Sequence, residues 1–185
     1  MESTSQDVEL TYFTSSIEYY KHLFVSITID GVSYTIDNTN MTASTLSASS
    51  SLTNIVIPST VTDIGTGYIY TVTRIGGSSM RPCPALTSVT IPNTVTSIGT
   101  YVFYANTALT TVTFEDGSAL ISIGDSAFHE CTGLITVSFG SGSTLTSIGI
   151  RAFFKCYVLT SVTIPNTVTN LEWGAFEECR GLTSF

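Results

Sequence analysis

Leu86-Thr-Ser-Val-Thr-Ile-Pro-Asn-Thr-Val-Thr-Ser-Ile98 returns almost unchanged as Leu159-Thr-Ser-Val-Thr-Ile-Pro-Asn-Thr-Val-Thr-Asn-Leu171, and more loosely as Leu52-Thr-Asn-Ile-Val-Ile-Pro-Ser-Thr-Val-Thr-Asp-Ile64. Working outward from this phrase, longer versions begin at Leu109 and Leu134, so the leading leucines fall at 86, 109, 134, 159 and 182. Other columns keep the same register: Val89, Val112, Val137, Val162; then Ile91, Phe114, Phe139, Ile164. Later in each period come Ile75, Ile98, Ile123, Ile148 and Leu171, and five residues on Met80, Phe103, Phe128, Phe153 and Phe176. Columns that march together at a fixed period are the signature of a stacked repeat, because one supersecondary unit cannot bury its apolar side alone.

Each period has a physical reading. Leu-x-x-Val-x-Ile alternates with period two at its end, and Thr, Val and Ile favour a strand. One such strand per coil builds a parallel sheet with Leu, Val and Ile inward. Pro-Asn or Asp-Gly turns the chain, and a second extended piece, Val-Thr-Ser-Ile, packs from the opposite side. The Ala-Phe segment, as in Asp125-Ser-Ala-Phe-His-Glu-Cys131, predicts a short 3₁₀ or helical turn with Phe plugging the interior. The fold class is therefore mainly β with short 3₁₀ or helical turns, a solenoid of about five irregular coils of 23–25 residues, residues 52–185, whose last repeat opens at Leu182 and is incomplete. That broken edge implies a fragment of a longer chain or an end covered by a partner.

The N-terminal quarter does not fit the repeat. Phe24–Ile29, Asp30-Gly31 and Val32–Ile36 read as a β-hairpin, since Asp-Gly supplies the positive φ of a type I′ turn. Its expected role is to cap the open end of the solenoid. Thr42–Ser51 is rich in Ser and Thr and reads as a loop, completing a cap over residues 24–51. Residues 1–23 form an aromatic tail in which Tyr12, Phe13, Tyr19 and Tyr20 are candidate docking residues. Thr66–Ile75 reads as an extra strand inserted in the first coil.

Composition narrows the function classes. The 185 residues are only 11% charged, against about 25% in ordinary globular domains, so Ser and Thr must dress much of the surface. A net charge of −8 argues against nucleic acid and anionic membrane, which need clustered cations. Mean hydropathy is +0.34, yet the longest apolar run, Tyr101–Ala105, is far short of the ~20 residues of a membrane span. The N-terminus shows neither the basic nor the apolar region of a signal peptide.

Cys83, Cys131, Cys156 and Cys179 each stand three residues before a leading leucine, with Asn106 in the same column. These spacings are the repeat period rather than the close pairs of a zinc site, and they read as a buried structural column whose Cys and Asn both donate to turn carbonyls. His129 and Cys131 superficially offer a nucleophile pair, but adjacent positions in a tight turn point apart. No motif for catalysis, metal or cofactor occurs; the chain reads as a non-enzyme without cofactor.

Leu-Thr-Ser-Val-Thr-Ile-Pro-Asn-Thr-Val-Thr-Ser-Ile-Gly followed by Ala-Phe-x-x-Cys-x-x-Leu resembles the BspA-like leucine-rich-repeat family over about residues 52–185. Departures are Asn106 for Cys, Met80 for Phe, and Glu172-Trp173 for the usual Gly-x. The resemblance implies a surface or secreted protein that adheres to proteins or cells, and transfers no catalytic residue. By analogy with other leucine-rich repeats the expected recognition surface is the outward side of the first sheet: Ser88, Thr90, Thr111, Thr113, Thr136, Ser138, Ser161 and Thr163. The longer turns, Glu115–Leu120 and Gly140–Leu145, are expected to protrude from one edge, where repeat proteins often meet partners. A structural subunit or spacer docked in a larger assembly through its N-terminal tail and uncapped C-terminal end, and a water- or ice-ordering Thr ladder, are the alternatives to a protein-binding module.

Overall fold

The computed structural model describes residues 8–11, as backbone, and residues 26–183. Two sheets run the length of the stack. The five-stranded sheet takes the first strand of each coil: β5 (Asn54–Val56), β8 (Ser88–Ile91), β10 (Thr111–Phe114), β12 (Thr136–Ser138) and β14 (Ser161–Val162), all parallel, in the spatial order β14-β12-β10-β8-β5. The register pairs like with like, Val89 with Val112 and Val112 with Val137. This in-register stacking puts every valine of the column at the core, 5% exposed or less.

The second sheet collects the Val-Thr-Ser-Ile pieces as two-residue strands β9 (Ser97–Ile98), β11 (Ser122–Ile123), β13 (Ser147–Ile148) and β15 (Asn170–Leu171), parallel to one another. It continues through β7 (Ile69–Ile75), the extra strand of the long first coil, which pairs antiparallel with β6 (Thr60–Thr62). It then runs on into the N-terminal elements β4 (Thr42–Ala48), β3 (Val32–Asp37), β2 (Ser26–Ile29) and β1 (Val8–Thr11).

The hairpin forms where Asp30-Gly31 predicts it, with φ of 49° and 76°. Thr42–Ala48 departs from expectation: it is not a loop but a strand, antiparallel to β3 and parallel to β7. Ser and Thr suit a strand when alternate side chains are buried, and here Ala43 and Thr45 turn into the core at 3% and 2% exposure. The Thr45 hydroxyl lies 2.8 Å from that of Ser79 and accepts the Gly76 amide at 2.9 Å, which ties cap to solenoid.

The Ala-Phe segments carry the expected 3₁₀-type bonds, Ala127 N–H to Gly124 C=O, His129 to Ser126 and Cys131 to Phe128, yet none lengthens into a helix. The intervening amides go elsewhere: Ser126, Phe128 and Glu130 donate to Ile150, Ala152 and Phe154 of the next coil. Two residues per coil hold positive φ to make this possible, such as Ser126 at 54° and Glu130 at 60°. A left-handed residue every fourth position forbids helix propagation. The result is a third hydrogen-bonded face, a ladder of turns. Beneath it Phe103, Phe128, Phe153 and Phe176 stack with centroids 4.9–5.0 Å apart.

Candidate protein-binding surfaces

The eight residues of the first sheet do share one side, in two columns set by the register. Ser88, Thr90, Thr111 and Thr113 are half-buried, whereas Thr136, Ser138, Ser161 and Thr163 are exposed. Some of the hydroxyl capacity of this side is spent internally. Ser88 Oγ donates to the Asn54 carboxamide at 2.7 Å. In the column just before the strand, Thr87 and Thr110 donate to main-chain carbonyls of the preceding coil, at 2.8 and 3.0 Å. The columns are short, uncharged and without an aromatic anchor.

The two longer turns lie against one another, with Glu115–Gly117 and Ser141–Gly142 exposed and Ser118, Leu120 and Leu145 buried. Asp116 accepts both the amide and the hydroxyl of Ser141, at 2.8 and 2.9 Å, and these bonds hold its carboxyl below the usual range. Between these turns and the exposed end of the sheet lies a cleft of about 450 Å³, lined by Asp116, Ser138, Ser141, Ser143, Thr163 and Asn166 among others. Tyr12, Phe13, Tyr19 and Tyr20 lie outside the described residues.

The cysteine column is buried, and its thiols are free. Cys131, Cys156 and Cys179 donate to Phe103, Phe128 and Phe153 carbonyls at 3.1, 3.4 and 3.0 Å. Burial pushes the Cys131 thiol far up, which opposes thiolate formation. Asn106 does more than donate in their place: its amide reaches Met80 C=O while its carbonyl oxygen accepts Cys83 N–H, both at 3.0 Å. His129 is separate from Cys131. Its ring lies between Tyr104 and Phe154, with centroids 5.1 and 4.9 Å away, and burial holds its pKa below the ordinary value.

That His129 contact belongs to a constellation the sequence reading missed. On the outer side of the turn ladder, the Arg81 guanidinium sits 4.1 Å over the Tyr104 ring, and Tyr104, His129 and Phe154 follow one another from coil to coil. Arg151 lies 4.9 Å over Phe154 and 4.4 Å over Trp173. Lys155 donates to Glu130 at 2.9 Å, which keeps that carboxyl below its ordinary pKa, and Tyr104 Oη reaches Glu130 at 3.3 Å. Arg180 stands 5.1 Å over Tyr157. Four of the five basic residues described (Arg81, Arg151, Lys155 and Arg180) therefore sit on this one face, beside Tyr101 and Trp173, which are 42% and 63% exposed. Part of the signal was available in the repeat: the position after Phe103, Phe128 and Phe153 reads Tyr104, His129, Phe154, an aromatic column that ends at Glu177 after Phe176.

Comparison with known proteins agrees with this architecture. The profile of the BspA type leucine rich repeat region, in six copies, matches residues 3–75 and 73–185, so the family match begins well before Leu52 and takes in the hairpin. A leucine rich repeat protein of T. pallidum is similar at 26% identity and TM-score 0.71, over 82% of this chain and 66% of its own. One from Bacteroides ovatus is similar at 28% identity and TM-score 0.72, over 84% of this chain but 39% of its own. A leucine rich cell surface protein of Faecalibacterium prausnitzii matches at 28% identity and TM-score 0.54, over 86% of this chain and 53% of its own. This chain thus spans less than two thirds of these proteins. No curated protein matches. Repeat phrase, stacked register and profile agree: the chain belongs to the BspA-type leucine-rich-repeat family.

Proposed function

We propose that the chain is a non-enzymatic, adhesion-type protein-binding module whose affinity is anchored on the turn-ladder face, with the Ser/Thr sheet and the protruding turns as polar flanks. The observation that carries this reading is the run Arg81–Tyr104–His129–Phe154–Arg151–Trp173, continuous over successive coils. Trp, Tyr and Arg dominate binding hot spots because they bring large contact area with little conformational freedom to lose. Here cations already rest on rings, so part of the ordering cost of binding is met before a partner arrives. The outward hydroxyls Ser88, Thr90, Thr111, Thr113, Thr136, Ser138, Ser161 and Thr163 add complementarity rather than anchoring. A cell-surface setting is supported by the description of the Faecalibacterium prausnitzii relative.

The test is binding of the immobilised chain to a panel of extracellular-matrix and cell-surface proteins by biolayer interferometry. Arg151→Glu and Trp173→Ala are expected to weaken the strongest interaction at least ~10-fold. The triple Thr90→Lys, Thr113→Lys, Thr163→Lys variant should change it far less. Loss in the lysine variant alone moves the anchor to the sheet, and no binding across the panel removes the adhesion reading.

A further inference from the structure

The stack has an edge inside the fold. β5 is the end strand of the first sheet, because the N-terminal strands join the second sheet instead, and no described strand pairs with its outer side. Its bonds to β8 use Thr53 C=O, which accepts Thr87 N–H at 2.7 Å, and Ile57 N–H, which donates to Thr90 C=O at 3.0 Å. Strand alternation then aims the N–H and C=O of Asn54 and Val56 the other way, out of the sheet. Natural edges are usually guarded by charge, bulges or a covering element. This one carries no charged residue, and Val56 is 71% exposed.

Beside the edge, the underside of the hairpin forms the opposite wall of a groove of about 210 Å³ lined by Ile29, Val32, Tyr34, Asn54, Val56 and Pro58, among others. Tyr34 is 1% exposed, and its hydroxyl has no hydrogen-bond partner among the described residues. The hydroxyl is not sealed off from the groove, so it can donate to an acceptor that enters. Burial, with Asp30 nearby, raises its pKa and keeps it a neutral O–H donor. The groove thus pairs strand-spaced backbone groups with one unspent donor and an apolar hollow. That combination matches an extended polypeptide, which supplies carbonyls and amides along one edge and alternate side chains toward one wall.

We propose that this groove takes up an extended segment of a partner protein as an additional strand on β5. The segment's main chain pairs with Asn54 and Val56, one of its carbonyls accepts the Tyr34 hydroxyl, and an apolar side chain enters against Ile29 and Val32. Asp30, at the rim and without an ion-pair partner among the described residues, favours a basic neighbour in that segment. The site is independent of the turn-ladder face.

The experiment uses the full ¹⁵N-labelled chain and an acetylated, amidated peptide copying Leu86–Ile91, the segment that pairs with the other side of β5. A scrambled peptide without the alternation serves as control. Amide exchange of Asn54 and Val56 is expected to slow at least ~10-fold with the copy and not with the control. Val56→Pro removes an outward N–H, spares the β8 ladder, and should abolish the protection. Tyr34→Phe, which keeps the ring in the core, should weaken binding ~3–10-fold. No binding at millimolar peptide, protection that falls on other strands, or indifference to both substitutions overturns the proposal. Slowing caused by self-association without peptide overturns the assignment of the occupant.

Discussion

Asn106 shows how much a single buried side chain can set. It is fully buried and uses both ends of its carboxamide, accepting from Cys83 N–H and donating to Met80 C=O. In the other coils the cysteine amide closes its own turn, as Cys131 does on Phe128 and Cys156 on Phe153. Cys83 does not, so the side chain of the next coil replaces a main-chain bond. Cysteine in place of Asn106 would still offer a donor but no good acceptor, and would strand a buried N–H. Asn106→Cys is therefore expected to cost about 1–3 kcal/mol and Asn106→Ala at least as much, read as a lower urea midpoint at unchanged slope. An unchanged midpoint for the cysteine variant would mean that the two residue types are interchangeable in this column after all.

At the scale of elements, close approach of successive coils is enforced where the second sheet passes into the turn ladder. A Cβ built on Gly124 would stand 2.7 Å from the Gly99 carbonyl carbon and 2.9 Å from its oxygen, and one on Gly149 would meet Asp125 N at 2.8 Å. These contacts are with backbone, so neither neighbour can yield without shifting a coil. Gly124→Ala is expected to destabilise by about 1–3 kcal/mol through overpacking, and to speed amide exchange in β9 and β11 together. Gly117 provides the contrast: it has φ of 68° but open space around it. Alanine there should cost only about 1 kcal/mol, from backbone conformation alone. Equal costs at the two sites would refute the packing argument. The same elements explain the third face: amides drawn into the inter-coil ladder cannot serve a helix.

On the scale of the whole molecule, cap and solenoid form one continuous sheet from β1 to β15, joined at β4 and β7 and pinned by Thr45. The single tryptophan, Trp173, lies at the opposite end of the stack from this junction. Fluorescence from Trp173 and far-ultraviolet circular dichroism should give coincident urea transitions in the intact chain. Thr45→Val leaves Ser79 Oγ and Gly76 N–H without their buried partner, so it should lower the midpoint and separate the two curves, as nearest-neighbour coupling along a stack fails at its weakest interface. Coincident curves in the variant would show that the sheet, not this polar tie, carries the cooperativity.

The repeat phrase by itself determined the architecture, the register and the core. Columns of Leu, Val, Ile and Phe at a fixed period can be buried in only one way, by stacking like on like, and period-two alternation assigns each residue to a side. Asp30-Gly31 likewise announced its turn, because few residue pairs accept two positive φ values. Thr42–Ala48 was not legible as a strand, since Ser and Thr serve loops and half-buried strands alike, and only the packing of Ala43 and Thr45 against the first coil decides between them. The outward faces were legible only in part. The Ser/Thr columns and the aromatic column Tyr104, His129, Phe154 can both be read from the repeat, but exposed positions carry no burial signal to say which column joins which neighbours. Residues as distant in sequence as Arg81 and Trp173 become parts of one surface only when the coils stack, because stacking turns a separation of one period into a van der Waals contact.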